Sequence, residues 1–131
     1  SWAFTEQNAW EPFYAMPQQP ENTNISVINE ASSIKWNEIQ IKILHTPGHT
    51  NGSVCFYIEE HNKCFTGDTI FKGSVGRTDL PGGSALLQAK SLKNICMLSS
   101  DTILYPGHGP ITSVKEEKAY NPFLISFAQD I

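Results

Sequence analysis

Alternating apolar and polar residues predict short β-strands in the first half of the chain. In IQIKIL, residues 39–44, isoleucines alternate with Gln40 and Lys42, as expected for a strand with one buried face. The segment ISVIN, residues 25–29, alternates in the same way, and EASSIKWN, residues 30–37, is typical of a turn that leads into the next strand. Together these segments predict two strands joined by a turn.

Three further apolar runs predict a hairpin and one more strand. SVCFYI at 53–58 and KCFTG at 63–67 are separated by the polar residues EEHN, which is the pattern of two strands with a polar connection. TILYP at 102–106 is a short apolar run that stops at a Pro-Gly turn. It therefore predicts a short strand late in the chain.

Helical signals follow in the second half. SALLQAKSLKNICML, residues 84–98, comes after Pro-Gly-Gly, offers Ser84 as an N-cap and carries Leu86, Leu87, Leu92, Ile95 and Cys96 near helical spacing. SVKE, residues 113–116, has the form of a capping box, and Asn121-Pro122 supplies the N-cap and first residue of a last helix. Strands and helices together predict a mixed α/β (α+β) fold.

Residues 1–24 differ from the rest in composition. Pro12, Pro17 and Pro20 oppose a long helix or a central strand. The two Trp, two Phe and one Tyr of this segment would be costly to leave in water. We therefore expect an irregular segment over 1–24 that packs on a core or on another chain, followed by a folded part over 25–131.

Three of the apolar runs end in a glycine turn that carries a residue able to bind a metal ion. IKILHTPGH ends at His49, KCFTGD ends at Asp68, and TILYPGH ends at His108. Strands that end at the same edge of a sheet place their following loops side by side. Two imidazoles and a carboxylate are a common ligand set for a catalytic zinc ion that keeps one position open for water. The three turns therefore predict an actual or ancestral metal site.

Composition limits the partners and the compartment. A chain of 131 residues, 40% hydrophobic and with a formal net charge of -4, is one globular domain or part of one, without a basic surface for nucleic acid. No apolar run approaches the roughly 20 residues that span a bilayer. Three cysteines without C-x-x-C spacing favour a reduced intracellular protein over a disulfide framework. We therefore expect a cytoplasmic protein with neither nucleic-acid nor membrane partners.

Five motifs, in this order, resemble a known family: TPGHTNGS, FTGDTIF, GRTDLPGG, YPGHG and KAYNPFL. They resemble the metallo-β-lactamase superfamily and, within it, the glyoxalase II-like (hydroxyacylglutathione hydrolase-like) branch, from about Ile25 to Leu124. The resemblance implies an αββα sandwich of two sheets flanked by helices, of which this chain would be the C-terminal part. It also implies one or two zinc ions, with iron or manganese as alternatives, that activate hydroxide for hydrolysis.

The resemblance also assigns roles to individual residues. By motif, His49 would bind the first metal ion, His108 would bind the second, and Asp68 would bridge both and act as the catalytic residue. His45 would support the site or be structural, with the structural role favoured. Within GRTDLPGG, Arg77 and Asp79 would form an ion pair that orders their loop, which is the role we favour, or alternatively Arg77 would face the substrate.

The remaining ligands of the family come from an N-terminal His-x-His-x-Asp-His motif that this sequence lacks. Its four histidines include no divergent copy of that motif. The missing half would also hold the first sheet, so that the inner face of the second sheet would be left uncovered. We therefore expect a homo-oligomer or an association with the missing N-terminal half, and weak or no zinc binding by the isolated chain.

Three explanations for the missing half stay open at this point. The chain could be a fragment or subunit whose other half is a separate polypeptide, an enzyme shortened artificially or by proteolysis, or a degenerate member that pairs with itself. A first residue Ser1 in place of methionine favours the first two.

The sequence thus leads to two hypotheses about function. The first is a metal-dependent hydrolase, most like a glyoxalase II-type thioesterase, in which metal-bound hydroxide attacks a small-molecule thioester or ester and this chain supplies part of the site. Another compact hydrolase of the family fits equally well, because no long C-terminal helical domain follows NPFL in this sequence. The second hypothesis is a non-catalytic or degenerate half-domain that acts in binding or assembly.

Overall fold

The computed structural model describes residues 26–28 and 32–128, which form a sheet covered by helices. In chain order the strands are β1 Ser33–Trp36, β2 Ile39–His45, β3 Val54–Ile58, β4 Lys63–Gly67, β5 Ile70–Phe71, β6 Ser74–Val75, β7 Ile103–Pro106 and β8 Thr112–Ser113. The helices are α1 Ala85–Cys96, α2 Val114–Tyr120 and α3 Pro122–Ala128. The mixed α/β prediction is confirmed, whereas the segment 1–24 lies outside the described residues.

Six strands form one sheet in the order β1-β2-β3-β4-β7-β8, and β5 and β6 form a separate hairpin. All neighbours in the large sheet are antiparallel except β4 and β7, which are parallel. Because β2 and β4 are both antiparallel to β3, the strands β2, β4 and β7 run in the same direction. The strands predicted from IQIKIL, SVCFYI, KCFTG and TILYP are all present.

The prediction for residues 25–37 is wrong in part. Residues 26–28 adopt no regular structure, and the rest of ISVIN lies outside the described residues. The serine-rich stretch predicted as a turn instead contains β1, which pairs Ile34 with Ile41 and Trp36 with Ile39. The turn follows β1, at Asn37 and Glu38. Their φ angles of 46° and 72° suit a two-residue hairpin connection.

One face of the sheet packs against the helices and forms the core. The buried apolar cluster comprises Cys55, Tyr57, Cys64, Ile70, Leu92, Ile95, Leu104, Val114 and Leu124. Cys55, Cys64 and the half-buried Cys96 are free thiols. Along β4 the buried residues alternate with exposed ones, so that Cys64 and Thr66 face the core and Phe65 faces the other way.

Helix α1 begins where the sequence predicts, but its buried face differs from the prediction. The Ser84 hydroxyl accepts a hydrogen bond from the Leu87 N–H at 3.2 Å, so Ser84 is the N-cap. Leu86, predicted to belong to the apolar stripe, is 67% exposed. The buried stripe instead contains two polar residues, Gln88 and Ser91, beside Leu92 and Ile95.

A buried polar pair fastens the β5–β6 hairpin to the last two helices. The Glu117 carboxylate accepts hydrogen bonds from the Gly73 N–H at 2.7 Å and from the Asn121 amide at 3.0 Å. The Asn121 amide also donates to the Ser74 carbonyl at 3.0 Å, while its oxygen accepts from the Phe123 N–H and so caps α3. The predicted capping role of Asn121 is confirmed and extended to a tertiary contact.

The opposite face of the sheet is apolar and partly uncovered in the described part of the chain. Directly paired residues share a face, which places Ile34 with Ile41, Phe56 with Phe65, and Phe65 with Tyr105. The rings of Phe65 and Tyr105 stack at 5.0 Å, yet Phe65 is 44% exposed. Trp36, at the edge, is 62% exposed. The sequence predicts that another sheet or chain covers this face. The identity of that partner stays a prediction.

No helix within residues 26–28 and 32–128 combines the length and the apolar character that crossing a membrane requires.

Asn121→Ala should be much more destabilising than the loss of a simple cap. It removes the cap of α3 and leaves the buried Glu117 carboxylate and the Ser74 carbonyl with one donor fewer. We expect the free energy of unfolding in urea to fall by about 2–4 kcal/mol, the sum of a cap and an unsatisfied buried group. The control Ser113→Ala, which removes only the α2 cap, should cost about 1 kcal/mol. Equal losses in the two variants would contradict this account of Asn121.

Candidate metal site

The three predicted ligand residues follow three strands that run in the same direction. His49 follows β2, Asp68 follows β4 at once, and His108 follows β7. Because β4 lies directly beside β7 and parallel to it, the loops of Asp68 and His108 leave the sheet side by side. A hydrogen bond of 2.8 Å from the Gly107 N–H to the Gly67 carbonyl ties these two strand ends together.

Asp68 lies between the two histidines and presents a different oxygen to each. The Nε2 atom of His49 is 3.5 Å from Oδ2 of Asp68, and the Nε2 atom of His108 is 3.2 Å from Oδ1. The His49 side chain is 21% exposed, that of Asp68 38% and that of His108 77%. The group is therefore most open to solvent on the side of His108.

A backbone hydrogen bond fixes the tautomer and orientation of His49. Its Nδ1 atom lies 2.8 Å from the Arg77 carbonyl oxygen. A carbonyl can only accept, so Nδ1 carries the proton and donates it. The lone pair of the neutral ring is then on Nε2, the atom that faces Asp68. Metal-binding histidines are commonly oriented in this way by a hydrogen bond to the other ring nitrogen.

His108 is held by packing against an aromatic ring. Its ring lies edge-on against Phe71, with centroids 5.9 Å apart and planes at 68°. Phe71 belongs to the β5–β6 hairpin that Glu117 and Asn121 fasten to the helices. The position of the most exposed of the three residues thus depends on the C-terminal helices.

The loop of His49 is anchored to helix α1. The Ser84 N–H donates to the Gly48 carbonyl at 2.8 Å, and the Ser91 hydroxyl donates to the Pro47 carbonyl at 2.7 Å. These bonds are made by the two residues immediately before His49. His45, at the end of β2, has its Nε2 atom 2.9 Å from the Asn51 carbonyl across the same loop, which fits the structural role favoured for it.

The donor atoms suit a zinc or iron ion in type and spacing. A nitrogen and an oxygen that bind one tetrahedral ion at about 2.0–2.2 Å lie about 3.4 Å apart, close to both observed distances. In the described part of the chain, however, no three His, Cys, Asp or Glu side chains are grouped so as to hold one ion. Each ion would therefore receive two donors from the described residues, namely one imidazole nitrogen and one oxygen of Asp68.

Arg77 and Asp79 form the expected ion pair. The guanidinium donates to both carboxylate oxygens, at 2.7 and 2.8 Å, and both side chains are exposed. The hydrogen bonds from Arg77 lower the pKa of the Asp79 carboxyl to about 2. The pair thus orders the loop whose Arg77 carbonyl holds His49, which agrees with the structural role favoured from the sequence.

A groove near this loop is separate from the three predicted ligands. It measures about 530 Å³ and lies between the loop at 75–78, α1 and α3. Its walls include Val75, Leu92 and Phe123, but neither His49, Asp68 nor His108. The candidate site thus lies at an open edge of the sheet. It is identified by its ligand-type side chains and not by a groove.

Sequence comparison identifies the family of the chain. The metallo-beta-lactamase superfamily profile matches residues 2–108. The chain belongs to the metallo-beta-lactamase superfamily. The match includes His49, Asp68 and His108, and it also takes in most of the N-terminal segment 1–24. The boundary predicted between 24 and 25 stays a prediction.

Relatives of this superfamily member have more than one activity. The chain is 34% identical over 125 residues to the hydroxyacylglutathione hydrolase GloC of Haemophilus influenzae, covering 87% of this chain and 59% of that protein. It is 33% identical over 102 residues to the human mitochondrial persulfide dioxygenase ETHE1, covering 74% and 40%. The crystal structure of TTHA1623 in a di-iron-bound form superposes with a TM-score of 0.74 at 39% identity, covering 84% and 52%. The chain spans about half the length of the curated relatives that it matches.

The structure thus brings the three sequence-predicted residues together, while their role as metal ligands and the catalytic role of Asp68 stay predictions. Sequence reasoning missed two buried polar residues that contact neighbouring segments of the backbone. Both are helical: Gln88 contacts the loop that follows Asp68, and Glu117 contacts the β5–β6 hairpin that carries Phe71. For Gln88 a signal exists, because it precedes Leu92 and Ile95 at helical spacing and so falls on the buried stripe.

Gly76→Ala should disrupt the site through a backbone clash. A Cβ atom at this position would lie 1.8 Å from the Asp68 carbonyl oxygen and 3.2 Å from Cβ of His49. We expect a loss of roughly 3 kcal/mol or more in the free energy of unfolding, at the upper end of overpacking costs. Gly52→Ala is the matched control, because a Cβ there meets no atom within 4 Å. It should change stability by less than about 0.5 kcal/mol, and a Gly76→Ala variant as stable as this control would refute the close approach.

Proposed function

We propose that this chain supplies the C-terminal half of a metal-dependent hydrolase that cleaves a small-molecule thioester of the hydroxyacylglutathione type. The observation that carries the proposal is the position of Asp68, with one carboxylate oxygen facing Nε2 of His49 and the other facing Nε2 of His108. A carboxylate in this position can bind two ions at once, as in dinuclear hydrolytic sites. The similarity to the hydrolase GloC supports the thioester class of substrate.

Zinc or iron would be held by His49, Asp68 and His108 together with donors from outside the described residues. When bound, the metal ions lower the pKa of a bound water and polarise the carbonyl of the substrate. His49 would offer its Nε2 atom to the metal ion, because its Nδ1–H donates to the Arg77 carbonyl. Asp68 contributes negative charge shared between the two sides of the site. Zinc, iron and the cytoplasmic location are expectations that accompany this proposal.

The missing donors would come with a polypeptide that covers the apolar face of the sheet. Ile34, Trp36 and Phe65 on that face are 41%, 62% and 44% exposed. Apolar side chains from several strands on one sheet face are typical of a surface that packs on a second sheet. We propose an N-terminal half, or a second copy of this chain, as the partner. Because the described residues give each ion only two donors, we expect the complete site to form only with that partner.

A second candidate is a non-catalytic half-domain that acts in binding or assembly. The observation that favours it is that no three ligand-type side chains in the described segments are grouped around one ion. This candidate predicts that the chain associates with a partner through its apolar face without acquiring hydrolytic activity.

The test measures hydrolysis of a hydroxyacylglutathione thioester in the presence of zinc or iron(II). It compares the 131-residue chain alone with the same chain co-expressed with the N-terminal half of the Haemophilus influenzae relative. We expect activity only in the assembled form. Asp68→Asn should lower it by at least about 100-fold, the upper end of losses seen for groups that support metal ligands. The control His61→Ala alters an exposed histidine of the β3–β4 connection and should leave activity unchanged.

Other outcomes distinguish the candidates. Activity in the assembled form that survives Asp68→Asn would contradict the proposed role of Asp68. Stable assembly without hydrolysis would favour the binding half-domain. Consumption of oxygen with a persulfide substrate in place of thioester hydrolysis would exclude the hydrolase in favour of the activity named for ETHE1.

A further inference from the structure

Gln88 occupies an unusual position for a polar side chain. It lies in the middle of α1, on the buried stripe with Leu92 and Ile95, and is only 3% exposed. Its Oε1 atom is buried and lacks a hydrogen-bond partner among the described residues. Since an unpaired buried oxygen is unfavourable, a methionine or leucine at this place would serve packing at least as well. Packing alone therefore does not explain a glutamine here.

The side-chain amide of Gln88 contacts the backbone next to Asp68 and next to Arg77. Its Nε2 amide donates to the Thr69 carbonyl at 2.8 Å, one residue after Asp68. The same amide lies 3.5 Å from the Gly76 carbonyl, one residue before Arg77, whose own carbonyl holds His49. Both neighbours are carbonyl oxygens, so the nitrogen of the amide is the end that faces them.

The third contact of Gln88 is with the turn before His49. A Cβ atom at Gly48 would lie 2.3 Å from Oε1 of Gln88 and 2.4 Å from its Cα. The φ angle of Gly48 is +150°, a backbone conformation that residues other than glycine rarely adopt. The Pro-Gly turn therefore lies directly on Gln88, with no side chain between them. One residue thus contacts the neighbours of His49, Asp68 and Arg77.

We propose that Gln88 is a positioning residue that sets the spacing and orientation of His49 relative to Asp68. It acts through the backbone of the three loops and does not touch the reacting atoms. This role rests on the proposed function, because a fixed spacing of these two side chains matters for holding a metal ion. The orientation of His49 can be measured in the protein without metal, whether or not the chain hydrolyses a thioester.

The test uses Gln88→Met in the 131-residue chain and reads the His49 ring by ¹⁵N NMR at alkaline pH, where the imidazole is neutral. In the wild type the two ring nitrogens should differ widely in chemical shift, because the proton is held on Nδ1. In Gln88→Met we expect this difference to fall by at least about half, as the ring samples both tautomers. The denaturation midpoint should stay close to that of the wild type, because methionine fills a similar volume and removes the unpaired Oε1 atom, while the Thr69 carbonyl keeps the hydrogen bond from the Gly76 N–H.

Leu92→Met is the matched control, since it introduces the same side chain one turn later on the same buried stripe. It should leave the His49 ring shifts as in the wild type. Wild-type ring shifts in Gln88→Met, or equal changes in both variants, would overturn the proposal. If Gln88→Met does not fold, Gln88→Asn replaces it. This variant keeps an amide but draws it back from the two carbonyls, and a wild-type His49 ring in it would equally overturn the proposal.

Discussion

The shared direction of β2, β4 and β7 is the constraint on which the candidate site depends. A strand that pointed the other way would deliver its glycine turn to the far edge of the sheet. Here β3 reverses the chain between β2 and β4, and the connection through α1 returns it parallel to β4. As a result His49, Asp68 and His108, which are far apart in sequence, come together at one edge.

Strand direction sets the edge, but hydrogen bonds and packing set the distances. On one side, α1 binds the backbone of the His49 loop through Ser84 and Ser91 and that of the Asp68 loop through Gln88. On the other, Glu117 and Asn121 hold the hairpin that packs Phe71 against His108. Buried polar groups of this kind are costly unless they are paired. Their concentration beside the site indicates that positioning these loops, and not only core packing, shapes this part of the molecule.

Sequence reasoning succeeded where the signal is local. A short apolar run followed by a glycine turn is visible in the chain itself, so most strands, the three candidate ligands and the caps Ser84, Ser113 and Asn121 could be predicted. β1 was missed because its serines resemble a turn, and only pairing with β2 makes it a strand. The burial of Glu117 depends on Gly73, 44 residues earlier, and no local pattern reports such a contact. Likewise, strand order alone does not specify that Asp68 turns one oxygen to each histidine.

We propose that Asp68 lies between two metal positions, each completed from outside the described residues. Anomalous diffraction at the zinc edge, from crystals of the zinc-loaded chain assembled with an N-terminal half, tests it directly. We expect two peaks flanking the Asp68 carboxylate, one about 2.0–2.1 Å from Nε2 of His49 and the other at the same distance from Nε2 of His108. A single peak bound by both histidines, or zinc bound away from Asp68, would contradict it.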